Sequence, residues 1–308
     1  MVNKVMGYFF LVFGNMGLRI LTKLIESGKS PGLIVSHKTY NYETSREGFY
    51  EPLRKLAEDN NIEIIFTDKI SEEKEKIKQF STGICCGFME ILRQEIYELP
   101  ENGIFNLHCG KLPQYRGRAP ISRSIMNGEK ELTVSLHKID SGVDSGDILL
   151  TELIEITDSD DVNTMYEKCI PVSYKLISEA LEIINSDELN SRLKPQENTE
   201  SKANKSITDA ERKIKPDSEI KEVYNLVRAL YPPYPGATFV YNGKLYKIES
   251  SRYEYDKNSK GGGMIKFAGE NEIAIEFKGG RLITDKISEG NKLIENIREI
   301  FIEGEYIE

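Results

Sequence analysis

Residues 5–13, VMGYFFLVF, form an apolar run that ends abruptly at GNMG, and the next stretch places Ile20, Leu21, Leu24 and Ile25 on one helical face. A strand that is apolar throughout must be covered on both sides, so this opening predicts strand, turn and helix in an α/β layered sheet. The run is too short to span a bilayer, and no small-residue cleavage site follows it, so it reads as a buried strand and not as a signal peptide. The turn has GxxG spacing, not GxGxxG, and no acidic residue follows at the distance that reads a ribose; a tight turn is expected there, not a dinucleotide site.

The same alternation continues. Strands are expected at 33–37, 62–67, 82–88, 103–108 and 131–139, and helical stretches at 49–60, 72–80 and about 162–185. The pattern predicts a Rossmann-like, mainly parallel sheet with crossover helices. From about 186 to 218 the chain turns polar, which reads as a surface connection. Beyond it come a short helix at 219–231, the irregular PPYPGA, and hairpin signals at YNGK (241–244) and KGGR (278–281). The expected organisation is a catalytic domain at 1–185, a linker at 186–204 and a smaller β-rich, barrel-like domain at 205–308.

A net charge of −9 argues against a protein that coats nucleic acid without specificity, because neutralising phosphates requires clustered Lys and Arg. The four cysteines, Cys85, Cys86, Cys109 and Cys169, fit neither a disulfide framework nor a metal knuckle, so reduced thiols and a cytoplasmic location are expected.

Only three histidines occur, and one lies in FNLHCGKLPQYRGRAP (105–120). On a strand, Asn106 and His108 project to the same face, while Phe105 and Leu107 face the other way. Gly110 and Pro113 then end the strand, placing the pair at the carboxyl end, where open α/β sheets bind ligands. An amide donor can polarise a carbonyl while an imidazole moves a proton. A hydrogen-bonded structural histidine is the ordinary alternative for His108, and a solvated loop is the alternative for Arg116 and Arg118. Cys109 alternates to the opposite face from His108, which counts against a thiol nucleophile. The second stretch, KIDSGVDSGDIL (138–149), offers three carboxylates in a glycine-rich turn. Its spacing lacks the pattern of a calcium loop, and no metal is expected. One of these carboxylates can meet His108; the residues alone leave open which.

NLHCGKLPQYRG followed by DSGVDSGDI resembles the paired signature of the folate-dependent formyltransferases, approximately N-x-H-x-S-x-LP-x-YRG and then D-x-G-x-D-x-G-D-I. The resemblance extends across nearly the whole chain, since PYPGATF and the β-rich tail are similar to that family's C-terminal, OB-like domain. It implies N10-formyltetrahydrofolate as donor and a primary amine as acceptor. It further implies that Asn106 stabilises the oxyanion, that His108 donates and accepts protons, and that Asp144 orients His108 and raises its pKa. The folate is then expected against Phe88, Met89, Glu90, Ile91 and Leu92, against Asp140, Ser141, Gly142 and Val143, and at Arg118. Gly110 and Lys111 depart from the Ser and Leu common in the family, and the lost hydroxyl removes a local hydrogen bond.

Family members act on methionyl-tRNA, amino-sugar nucleotides or glycinamide ribonucleotide, and relatives hydrolyse formyl-folate. The tRNA enzymes carry a basic insertion after the second strand. Here SHKTYNYETSREGFYEP sets Lys38 and Arg46 against Glu43, Glu47 and Glu51. FNLHCGKLPQYRGRAPISRSIMNGE and YPPYPGATFVYNGKLYKI are similar to sugar-nucleotide N-formyltransferases, including UDP-4-amino-4-deoxy-L-arabinose formyltransferase. A nucleotide-linked 4-amino sugar is therefore the expected acceptor, with tRNA as the alternative. A formyl-folate hydrolase or a noncatalytic folate-binding protein ranks lower. No membrane partner is expected, and the oligomeric state, a homodimer included, stays open.

Overall fold

The computed structural model describes residues 5–38, 48–197, 202–232 and 234–308. The residues in the acidic stretch after the second strand that bear on tRNA, Glu43, Arg46 and Glu47, lie outside the described residues, as does Pro233 of PPYPGA. The chain forms two compact units. One takes in Met1–Pro120, Glu131–Glu155 and Tyr166–Asn204; the other takes in Ile121–Lys130, Ile156–Met165 and Lys205–Glu308.

The first unit is built on a seven-stranded sheet. Its strands are β1 (Val5–Val12), β2 (Leu33–His37), β3 (Glu63–Thr67), β4 (Phe80–Cys86), β5 (Ile104–His108), β6 (Glu131–Lys138) and β7 (Ile148–Glu155). They lie in the order β3-β2-β1-β4-β5-β6-β7, parallel from β3 to β5 and antiparallel from β5 to β7. Phe9, Phe10, Leu11 and Val12 are fully buried, as a strand covered on both faces requires. The helix Gly14–Glu26 buries Ile20, Leu21, Leu24 and Ile25. Both glycines of its opening turn have work to do. Gly14 adopts φ +82°, and a Cβ at Gly17 would come within 2.8 Å of Val12 Cγ2 and 3.0 Å of Cys86 O, so Gly17 lets the helix press onto two strands.

Two expectations need correction here. Residues 72–80 are not one helix: a 3-10 turn, Ile70–Glu73, and a single helical turn, Lys74–Ile77, precede β4. The strand β7 escapes the sequence reading because ILLTELIE carries apolar residues on both faces without a clean alternation and directly follows a turn rich in Asp and Gly.

The second unit carries β8 (Ala237–Tyr241), β9 (Lys244–Lys260), β10 (Ile265–Gly269), β11 (Glu272–Glu289) and β12 (Lys292–Leu293) in an antiparallel sheet ordered β10-β11-β9-β8, with β12 on β11. The helix Ile220–Ala229 packs Val223 and Val227 into a core with Phe239, Ile248, Phe277 and Phe301. Asn242-Gly243, both at positive φ, make the expected two-residue hairpin. KGGR does not. β11 runs straight through it, the register against β9 shifts between Lys278 and Gly280, and a Cβ at Gly280 would overlap Glu254 O. The glycines mark a bulge with close backbone approach, not a reversal.

Candidate active site

Strand β5 sets the site. It pairs Asn106 with Cys85 of β4 on one side and with His137 of β6 on the other, and it pairs His108 with Ser135. Directly paired residues share a face, so Asn106 and His137 stand side by side. The turn after β6 then brings Asp144 to both. Asn106 Nδ2 donates to Asp144 Oδ1 at 3.2 Å, and His108 Nδ1 lies 3.4 Å from Asp144 Oδ2. The structure thus brings together the three residues of the two motifs.

His137 joins them, and the sequence reading passed over it. Its Nε2 lies 3.2 Å from Asn106 Nδ2 and 3.4 Å from Asp144 Oδ1, while its Nδ1 donates to Lys138 O at 3.0 Å. A signal was present: His137 occupies the same alternating face of β6 as Ser135. Only the antiparallel register, however, puts that face against Asn106.

His108 Nε2 lies 2.7 Å from Tyr115 O, which can only accept, so the Nε2 hydrogen is placed there and Nδ1 is the nitrogen that faces Asp144. Burial pushes the His108 pKa down, the Asp144 charge pushes it back up, and the net direction is down. The imidazole is therefore neutral at pH 7 and able to take a proton. Burial would raise Asp144, but hydrogen bonding to His137, the charges of His108 and His137, and the Gly117 N–H bring it to about 2. Gly117 N donates to Asp144 Oδ2 at 2.8 Å. The carboxylate is thus charged throughout the neutral range.

Gly110 explains the departure from the family pattern. A Cβ there would lie 2.6 Å from Pro120 Cβ, 2.9 Å from His108 Nε2 and 3.0 Å from Tyr115 Cβ. The bare backbone lets the loop fold against the imidazole, and Ser135 Oγ donates to Gly110 O at 3.3 Å. Cys109 is buried, and contact with Cys169, together with burial, raises the Cys169 thiol pKa. All four cysteines are free and buried. No group of three or more His, Cys, Asp or Glu among the described residues is arranged to hold a metal ion.

The loop after β4 is anchored residue by residue. His37, ending β2, stacks on Phe88 with ring centroids 4.0 Å apart and accepts from Met89 N at 2.9 Å. Glu90 Oε2 accepts from Ile70 N at 2.9 Å, and Leu92 is buried in an apolar cluster against which Phe88 and Ile139 pack. Ile91 is left 73% exposed. In the other turn, Asp140 Oδ1 accepts from Gly142 N at 3.1 Å and Ser145 Oγ at 2.6 Å, while Ser141, Gly142 and Val143 face solvent. Arg118 is exposed at the loop after β5. The loop after β4 thus exposes apolar Ile91 and the turn after β6 exposes apolar Val143, while the Asn106–His108–Asp144–His137 cluster has both its histidines buried.

Residues 14–181 match the formyl transferase family, and residues 206–303 match the formyl transferase C-terminal domain. The chain belongs to the formyl transferase family. It is a folate-dependent N-formyltransferase. A methionyl-tRNA formyltransferase of Mesoplasma florum is 31% identical over 284 residues, 91% of this chain and 90% of that protein. That of Kosmotoga olearia is 34% identical over 191 residues, 61% of this chain and 60% of that protein. Among solved structures, the N-formyltransferase from Helicobacter canadensis in complex with folinic acid and dTDP-3-aminofucose superposes with a TM-score of 0.68 at 21% identity, covering 91% of this chain and 99% of that one. This formyltransferase therefore shares its fold with a protein solved with a nucleotide-linked amino sugar and is similar in sequence to methionyl-tRNA formyltransferases. No helix among its described residues is long and apolar enough to cross a membrane.

Proposed function

We propose that this formyltransferase moves the formyl group of N10-formyltetrahydrofolate to the amine of a nucleotide-linked 4-amino sugar. The observation that carries the chemistry is the contact of Asp144 with both Asn106 and His108. In this reading the uncharged amine attacks the formyl carbon, the new N–C bond forms, and the carbonyl oxygen becomes an oxyanion. Asn106 turns an N–H toward that oxygen, exchanging a resting bond for one made in the transition state. His108, neutral beforehand, takes the proton shed by the amine, and Asp144 stabilises the imidazolium that results. Collapse breaks the bond to N10, which leaves with a proton, so tetrahydrofolate and the formamide are the products. The folate ring system rests on the exposed Ile91 and Val143 and on the Phe88–Leu92 and Asp140–Val143 backbone, with Arg118 at the edge.

The acceptor reading is supported by the acidic balance of residues 36–52 and by a net charge of −9, both poorly suited to steering a tRNA. The dTDP-3-aminofucose in the complex of the H. canadensis protein supports a nucleotide-linked amino sugar as the class of acceptor, with the amine there on position 3. The second reading, methionyl-tRNA, is favoured by the curated relatives. The test is tetrahydrofolate release from N10-formyltetrahydrofolate with UDP- and dTDP-4-amino sugars and with methionyl-tRNA in parallel. Turnover with a sugar nucleotide, lost in His108→Ala, is expected; turnover with methionyl-tRNA alone would overturn the acceptor and leave the chemistry in place.

A further inference from the structure

The polar stretch that composition marks as a linker is stitched to the site at both ends. Lys194 and Ile148 exchange two backbone hydrogen bonds, 2.8 and 2.9 Å long, at the start of β7. Asn204 accepts from Arg118 N at 2.9 Å and donates to Arg116 O through its backbone N at 2.8 Å and its Nδ2 at 3.1 Å. Gly117 lies so close that a Cβ would overlap Asn204 O. Between these ends sits Gln196, and both halves of its amide are in use. Oε1 accepts from Arg116 Nε at 3.0 Å and Nη2 at 2.7 Å; Nε2 donates to Asp144 O and to Gly146 O, both at 2.8 Å. Arg116 Nε also donates to Asp144 O at 3.1 Å.

Asp144 needs this support. It has φ +50°, a conformation that disfavours any side chain with a Cβ and persists only where its surroundings over-determine it. Relaxing to negative φ would swing the carboxylate off His108. Its side chain is held by Gly117 N and Asn106, and its backbone carbonyl by Arg116 and Gln196. We propose that Gln196 is a positioning residue, which holds Asp144 in its left-handed conformation and so keeps the carboxylate on His108. The inference rests on the Asn106–His108–Asp144 reading above. It assigns to a residue some fifty positions downstream the geometry that the motif residues cannot enforce alone.

The chain has only three histidines, His37, His108 and His137, so each imidazole can be followed by NMR in the full-length protein, with the His108 signal identified by its loss in His108→Ala. The charged or titratable groups facing His108 are Asp144 in the turn after β6 and His137 on β6. Asp144 favours the protonated imidazole, so withdrawing it moves the titration to lower pH. Gln196→Met keeps the length of the side chain and removes all four bonds; Gln196→Glu keeps an acceptor for Arg116 and removes both donations. In Gln196→Met, His108 is expected to titrate about one unit lower than in wild type, a tenfold change in proton affinity, whereas in Gln196→Glu the added carboxylate opposes that shift and kcat is the readout. With the acceptor that supports wild-type turnover, kcat should fall about tenfold and, in Gln196→Met, its acid limb should move the same way, while KM for the folate changes less than about threefold. A wild-type His108 titration in Gln196→Met overturns the proposal. So does a loss of kcat that tracks a loss of melting temperature with the acid limb unmoved. Retention of turnover in His108→Ala would instead overturn the underlying reading, whatever Gln196 does.

Discussion

The two loops that frame the site are built on opposite principles. In the 140–147 turn, the carboxylates of Asp140 and Asp144 are engaged, Asp140 with Gly142 and Ser145, Asp144 with Asn106, His108 and Gly117, while Ser141 and Val143 stay outside. In the 88–92 loop, the anchors are a ring stack, a histidine acceptor and a buried Leu92, and what remains outside is a bare Ile91. The first arrangement holds the Asp144 carboxylate against His108. The second offers apolar area that gains only when something covers it. Fixed polar geometry suits the chemical step and exposed apolar surface suits binding, so variants in the two loops should separate kcat from KM.

The largest effect belongs to the polar loop. Asp144→Asn should lower kcat roughly 100- to 10,000-fold, the range of general acid–base contributions, with KM for the folate little changed; steady-state kinetics with the active acceptor checks this. A loss confined to KM would erase the contrast. The same residue sharpens it in equilibrium measurements. Asp144 is held at about 2, against the 3.8 usual for a free aspartate. A depressed carboxylate stabilises the fold above its unfolded pKa, and that contribution is lost as pH falls through the folded value. Wild-type stability should therefore drop by about 2 kcal/mol between pH 4 and pH 2, and urea titrations should show Asp144→Asn without this part of the slope.

The apolar loop predicts smaller, binding-only effects. Ile91→Asp should raise KM for N10-formyltetrahydrofolate about tenfold, the order expected when a covered isoleucine side chain is replaced by a carboxylate, and leave kcat within about twofold. His37→Phe keeps a ring against Phe88 but strands the Met89 N–H, so a several-fold rise in the same KM is expected, measurable alongside folate binding by calorimetry. A fall in kcat equal to that of Asp144→Asn in either variant would break the division of labour.

Much of this was legible in one dimension. The two-residue spacing of Asn106 and His108 follows from strand alternation, and the motif pair located Asp144. Glycine was harder. YNGK read correctly as a turn, GNMG proved to be the first turn of the helix Gly14–Glu26, and KGGR proved to be a bulge inside a strand; composition states that φ is free, not which way the chain proceeds. The departure at Gly110 also reads differently in three dimensions, since the missing side chain is what makes room for Tyr115 and His108 to meet.

The sequence by itself determined the layered α/β architecture, the β-rich character of the C-terminal region, and the face on which Asn106 and His108 stand, because periodicity and backbone sterics act over a few residues. Tertiary structure alone decided that His137 joins them, that Gln196 and Asn204 hydrogen-bond the backbone of Asp144 and of Arg116, and that Asp144 rests at positive φ. Those outcomes depend on strand register and on hydrogen bonds between residues tens of positions apart. Such pairings are chosen by the packing of the whole unit, and no local pattern carries them.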